Sequence, residues 1–191
     1  SKKLVDDLVV GCAFPEGPQG MLMAKGISIL ADLPIESAAK IVNRFCGSSM
    51  DSVHQLSQAV IAGDVNCGIA GGVEDMFSVP MGGFNPSFHP DLYEKDFYIG
   101  MGDTAENLAK DLGITRSEQE EFAVQSHKKA LFAAGNGKFD NEIINITVNG
   151  IGVSKDEGPR EPDIQKIQSL EPAFDADGTV TAATSSPVSI G

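Results

Sequence analysis

Ala38-Ala39-Lys40-Ile41-Val42-Asn43-Arg44-Phe45-Cys46-Gly47-Ser48-Ser49-Met50 is the stretch that decides the fold. Ala38 to Phe45 has the length and apolar content of a β-strand. From Gly47 to Ala62 the period changes, and Met50, Val53, Leu56, Val60 and Ile61 share one stripe at helical spacing. A strand therefore hands over to a helix across one turn of small residues. Gly63-Asp64 ends the helix, and Val65 to Ala70 reads as a further strand running into Gly71-Gly72. Upstream, Leu8 to Phe14 is an apolar run of strand length closed by Pro15-Glu16-Gly17-Pro18. A helical pattern follows from Gln19 to about Leu33, with Met23, Gly26, Ile27 and Leu30 on one face. Strand and helix alternate through residues 1–75, which predicts an α/β fold with a layered core and parallel strands.

The rhythm then breaks. Phe77 to Gly100 is rich in Gly, Pro, Phe and Met without a period and reads as a long surface excursion. One helix is expected from near Asp103, and a second from the capping box Thr115-Arg116-Ser117-Glu118 to Gly135. Glu142 to Val148 is an expected strand, Gly150 to Pro162 an expected loop, and Thr179 to Ala183 a last strand-like run. The chain starts almost inside a strand and stops at Gly191 as an apolar segment begins, so both ends read as cut.

With 41% hydrophobic and 21% charged residues among 191, the composition is that of a soluble globular protein. No apolar run approaches the roughly 18–20 residues of a membrane span, and Ser1-Lys2-Lys3-Leu4 does not open a secretory signal. Three cysteines do not make a disulfide framework; a reducing, cytoplasmic setting is expected. A net charge of -13, from 27 acidic and 14 basic residues, opposes broad binding to nucleic acid or anionic lipid. It leaves room for an anionic small ligand held by a few local cations and helix N-termini. No metal-ligand set is read.

Chemistry concentrates at Cys46. Its thiol is delivered by a strand to a helix start, where unpaired backbone N–H groups and the macrodipole favour a negative sulfur. Gly47, Ser48 and Ser49 keep the approach uncrowded, and their N–H groups are candidate donors for an oxyanion. The competing reading is a packed core cysteine, which fits Cys12 and Cys67 inside their apolar strands. A thiolate nucleophile normally has a basic partner. His54 is about 12 Å further along the same helix, at ~1.5 Å per residue. His89 lies in the long excursion, and His127 in Ser126-His127-Lys128-Lys129 reads as solvated. None is a convincing base.

Asn43-Arg44-Phe45-Cys46-Gly47-Ser48-Ser49-Met50 resembles the acyl-cysteine motif of thiolases. The resemblance continues in order through Gly71-Gly72-Val73-Glu74-Asp75-Met76, Met101-Gly102-Asp103-Thr104-Ala105-Glu106-Asn107, Lys138-Phe139-Asp140-Asn141-Glu142-Ile143, Pro172-Ala173-Phe174-Asp175 and Thr179-Val180-Thr181-Ala182-Ala183-Thr184-Ser185-Ser186. It covers nearly the whole chain.

The resemblance implies a thiolase-like layered α/β core, here its first half only, with an inserted α/β loop domain over coenzyme A. Residues 1–75 would be the N-terminal core, incomplete at its start, 76–188 the loop domain, and 189–191 the start of a return to the core. It implies acyl transfer through a Cys46 thioester, either thiolysis of 3-ketoacyl-CoA or the reverse condensation of acetyl-CoA. Met101 would line the acyl pocket, Arg160 would sit near the CoA phosphates, and Ser186 would contact the pantetheine arm. Their plain alternatives are core packing, a solvated charge and a turn. CoA and acyl-CoA are implied as substrates, with no tightly bound cofactor. A homodimer or homotetramer and a β-oxidation multienzyme partner are implied for the complete protein.

The sequence departs from the family at several points. The Gly-His-Pro histidine and the late acid/base cysteine are absent from these 191 residues. Ile190 replaces an acidic residue and Thr184 an asparagine. Gly100 precedes Met101, where biosynthetic members often carry histidine. That difference, with Arg44-Phe45-Cys46 and Phe88-His89-Pro90, favours a fatty-acid-degrading thiolase over a biosynthetic acetoacetyl-CoA thiolase. The isolated chain is expected to turn over little or not at all, and to self-associate through an uncovered apolar face. A non-catalytic CoA-binding or assembly module is the alternative of another class.

Overall fold

A computed structural model describes residues 1–188; the expectation for 189–191, with the Ile190 substitution, lies outside the described residues. The chain divides into two compact units, Ser1–His89 joined by Pro187 and Val188, and Pro90–Ser186.

The first unit is built on three parallel strands: β1 (Asp7–Gly11), β2 (Ala38–Val42) and β3 (Gly68–Gly72), in the order β2-β1-β3. Helix α1 (Met23–Leu30) connects β1 to β2, and α2 (Ser48–Ala62) connects β2 to β3. The first connection steps one way along the sheet, and the second steps back across β1. Crossovers of one hand then place the two helices on opposite faces. The packing follows: Leu8 and Val10 meet Ala24 and Met23 on the α1 side, while Val9 meets Val42 and Leu56 on the α2 side. Because β1 is covered on both faces, its sequence is a continuous apolar run rather than an alternating one. The sheet is in even register, with Gly11 opposite both Val42 and Gly72. All three strands thus end at one level, and their carboxyl ends form a common edge.

Strand ends differ from the expectation by a few residues. The strand read as Leu8–Phe14 stops at Gly11, and the one read as Val65–Ala70 is shifted to Gly68–Gly72. In both places a polar clamp replaces the ladder. Asp6 accepts the N–H groups of Asn66 (2.8 Å) and Cys67 (3.1 Å). Glu74 accepts those of Ala13 (2.6 Å) and Phe14 (3.4 Å). The first unit also runs past the change of composition at residue 75. Val79 is fully buried, and Phe84 donates its N–H to Glu16 (2.9 Å), which ties residues 76–89 to the strand-and-helix layers.

The second unit contains α3 (Pro90–Tyr93), α4 (Met101–Leu112), α5 (Arg116–Gly135), the antiparallel pair β4 (Ile146–Val148) and β5 (Ile151–Val153), and α6 (Ile164–Gln168). The capping box at Thr115 is formed in both directions with Glu118. The stretch from Gly150, expected as loop, opens with β5. Asn149 and Gly150 both hold positive φ (51° and 80°), the geometry of the two-residue hairpin turn that Asn-Gly favours. The expected strand at Thr179–Ala183 is not a strand; a single bridge, Pro172 to Thr181, is present. Its backbone donors are taken elsewhere. The Glu106 carboxylate accepts the N–H of Thr179 (2.9 Å) and of Val180 (2.7 Å). No helix among the described residues is long and apolar enough to cross a membrane.

Candidate active site

Cys46 is exposed and sits two residues before α2, just past the carboxyl end of β2. Ligands of open parallel sheets bind at this edge, where the strand order reverses. The turn that presents the thiol is bonded on both sides. Asn43 donates through Nδ2 to the Ala13 carbonyl (2.8 Å) and accepts the Phe45 N–H through Oδ1 (3.0 Å). Ser48, almost fully buried, accepts the Arg44 N–H (2.8 Å) and donates to the Phe45 carbonyl (2.6 Å). Between these anchors Phe45 holds φ of 45°. A non-glycine residue there costs on the order of 1–2 kcal/mol. The ring of Phe45 packs against that of Phe14 with centroids 5.9 Å apart.

Of the three amides expected as oxyanion donors, two are engaged within the turn. Gly47 donates to the Arg44 carbonyl and Ser48 to the Phe45 carbonyl, both at 3.0 Å. A turn tight enough to expose the sulfur consumes them, so an oxyanion site at Gly47 and Ser48 is not what this geometry offers. Arg44 pairs with Asp51 (3.3 Å), and Asp51 in turn accepts from Gln55 (2.9 Å).

Two glycines that a site search by reactive side chains passes over let α2 reach the sheet edge. A Cβ on Gly11 would strike Ser48 and Ser49 backbone, and one on Gly72 would strike the Ser49 side chain. The signal available in the sequence was a glycine ending each of two strands that flank the cysteine turn. A second missed feature is Gln19, 2% exposed, which donates to Phe14 O and Glu74 (both 3.0 Å) and accepts the Asp75 N–H (2.6 Å). It locks the loops after β1 and β3 together. Cys12 is buried against this network, and burial pushes its thiol above the ordinary value, with the Glu74 charge adding to the rise. Cys67 is half-buried and immediately precedes β3, rather than sitting in the core inside a strand as expected.

Met101, Arg160 and Ser186 belong to the second unit. Met101 is the first residue of α4 and is exposed. Ser186 is exposed and outside any element. Arg160 lines a hollow of about 460 Å³ with His127, Asp163, Lys166, Ala182 and Ala183. His127, expected to be solvated, is partly exposed, and its Nδ1 accepts the Arg160 N–H at 3.3 Å. The chain at Arg160 returns to α5, which the charged flanks of His127 do not reveal. Elsewhere in this unit Glu106 is perturbed. Burial pushes its carboxyl up, but the N–H groups of Thr179 and Val180 and the Thr179 hydroxyl outweigh that and hold it below the ordinary value.

The family model described as the thiolase N-terminal domain matches residues 1–191. The chain belongs to the thiolase family. Among curated relatives, a 3-ketoacyl-CoA thiolase of Bacillus subtilis (strain 168) is 42% identical over 203 residues, covering 98% of this chain and 52% of that protein. One of Shewanella baltica (strain OS155) is 43% identical over 197 residues, covering 98% and 51%. One of Marinobacter nauticus is 42% identical, covering 99% and 50%. The chain spans about half the length of the thiolases it matches.

Proposed function

We propose that this chain supplies the acyl-accepting part of a 3-ketoacyl-CoA thiolase of fatty-acid β-oxidation, with Cys46 as nucleophile. The observation that carries the reading is the exposed thiol on a bonded, left-handed turn at the carboxyl edge of a parallel sheet. The Cys46 thiolate attacks C3 of a 3-ketoacyl-CoA, and the C2–C3 bond breaks. The electron pair leaves with C2, which takes a proton and departs as acetyl-CoA. The shortened acyl group stays on Sγ as a thioester. The thiolate of a second CoA then attacks that thioester, expelling the Cys46 thiolate and forming an acyl-CoA two carbons shorter. Proton transfers fall to the Gly-His-Pro histidine and late cysteine of the family pattern, which these 191 residues do not carry. His54, on α2 well past Cys46, cannot substitute.

For CoA we propose the hollow at Arg160, lined by the cations Arg160 and Lys166 for a phosphate-bearing ligand and by the carboxylates Glu161 and Asp163 beside them. Met101 as an acyl-pocket residue and Ser186 as a pantetheine contact are part of the same proposal. The name of the relatives and Gly100 before Met101 favour the degradative direction over acetoacetyl-CoA synthesis. A β-oxidation partner, a dimer or tetramer, and a cytoplasmic setting suited to three free thiols complete it.

The test is acylation of the full-length protein by acetyl-CoA, read by peptide mass. An acetyl group is expected on Cys46 and not on Cys12 or Cys67, and Cys46→Ala is expected to lower turnover by about 10⁴-fold or more. A folded, substrate-exposed protein whose Cys46 stays unmodified would overturn the reading.

A further inference from the structure

We propose that Ser48 is a positioning residue for Cys46: its buried hydroxyl holds Phe45 in the left-handed conformation and so sets where the sulfur points. The inference rests on the reading of Cys46 as nucleophile. Ser48 is the first residue of α2 and only 4% exposed, yet neither its O–H nor its lone pair is left to solvent. The oxygen accepts the N–H of Arg44 at 2.8 Å, and the hydroxyl donates to the carbonyl of Phe45 at 2.6 Å. One atom therefore ties the N–H of the Asn43–Arg44 peptide to the carbonyl of the Phe45–Cys46 peptide, bracketing Phe45. The same carbonyl also accepts the Ser48 N–H at 3.0 Å, so its direction is fixed twice.

Asn43 fixes the other flank, gripping Phe45 N–H and the Ala13 carbonyl. The φ of 45° at Phe45 is a conformation that a side-chain-bearing residue abandons when nothing holds it. If Phe45 relaxes to negative φ, the peptide that follows rotates and carries Cys46 with it. The reason for a serine rather than another small residue is chemical. Alanine at 48 would fill the same buried space but bond neither Arg44 nor Phe45, and glycine would do the same with more freedom. Threonine keeps the hydroxyl.

The prediction concerns the rate at Cys46 and not the affinity for CoA. A displacement of the attacking atom by about 1 Å costs up to about 100-fold in rate. Ser48→Ala is therefore expected to slow both iodoacetamide alkylation of Cys46 and kcat by about 10- to 100-fold, with KM for CoA unchanged. Ser48→Thr is expected to restore both rates to within about threefold of wild type. The deciding experiment is a double-substitution cycle in the full-length protein, with circular dichroism and alkylation of Cys67 as controls of folding. Glycine at 45 adopts positive φ without help, so Ser48→Ala should cost much less in a Phe45→Gly background than in wild type. Equal slowing in both backgrounds, or Ser48→Ala reacting within threefold of wild type, overturns the proposal. Wild-type Cys46 that no acyl-CoA modifies overturns the underlying reading instead, and the alkylation rates still decide the role of Ser48.

Discussion

Alanine at Gly11 tests the central claim about how α2 is seated. The added Cβ meets the carbonyl carbon of Ser48, the nitrogen of Ser49 and, at 2.6 Å, the oxygen of Ser48. All three are backbone atoms, so no rotamer change relieves the clash. Gly11 has ordinary negative φ, and steric overlap is the only source of cost. Overpacking typically costs 1–3 kcal/mol and more when the backbone must move, which sets the expected loss at about 3 kcal/mol. Gly71 is the internal control. It lies in β3 beside β1, pairs with Val10, and has no heavy atom within 4 Å of a built Cβ. Gly71→Ala is expected within about 0.5 kcal/mol of wild type. Urea unfolding followed by circular dichroism, compared at equal m, reads both. Alkylation of Cys46 should slow in Gly11→Ala alone, because relieving the clash displaces the helix start that carries the thiol. A loss below about 0.5 kcal/mol for Gly11→Ala, or an equal loss for Gly71→Ala, refutes the reasoning.

Glu106 should govern part of the acid limb of stability. Its folded value lies below the ordinary value of 4.5, so the ionised form stabilises the fold above pH ~4.5 and that contribution is lost as pH falls through the folded value. Glu106→Gln is expected to cost about 1–2 kcal/mol near neutrality and to flatten the fall in stability below pH ~4.5; an unchanged acid limb in a pH series of melts counts against it. Gly26 sits inside α1 with open space around a built Cβ, so Gly26→Ala should stabilise by about 0.5–1 kcal/mol, measured as a higher urea midpoint.

Local chemistry was legible in the chain itself. The apolar run of β1, the helical period of α2 and the Thr115 capping box are local patterns, and each became the element it predicts, although of the stripe read on α2 only Leu56 is buried while Met50, Val53, Val60 and Ile61 are exposed. The Asn149-Gly150 hairpin signal is equally local, but the strands beside it, three residues each, are too short to show a period. Cys46 stands out as a candidate because a strand, a small-residue turn and a helix lie within one short stretch. What the linear chain could not disclose are contacts closed across long separations. Glu106 is committed to Thr179 and Val180, which is why a strand-like run is not a strand. His127 accepts the backbone N–H of Arg160, 33 residues on. Gly11 is glycine because Ser48 and Ser49 come to rest on it. Periodicity records which face of an element is apolar. Only the tertiary structure decides which distant backbone arrives at that face, and so which amides are spent on the turn and which glycines have no room for a Cβ.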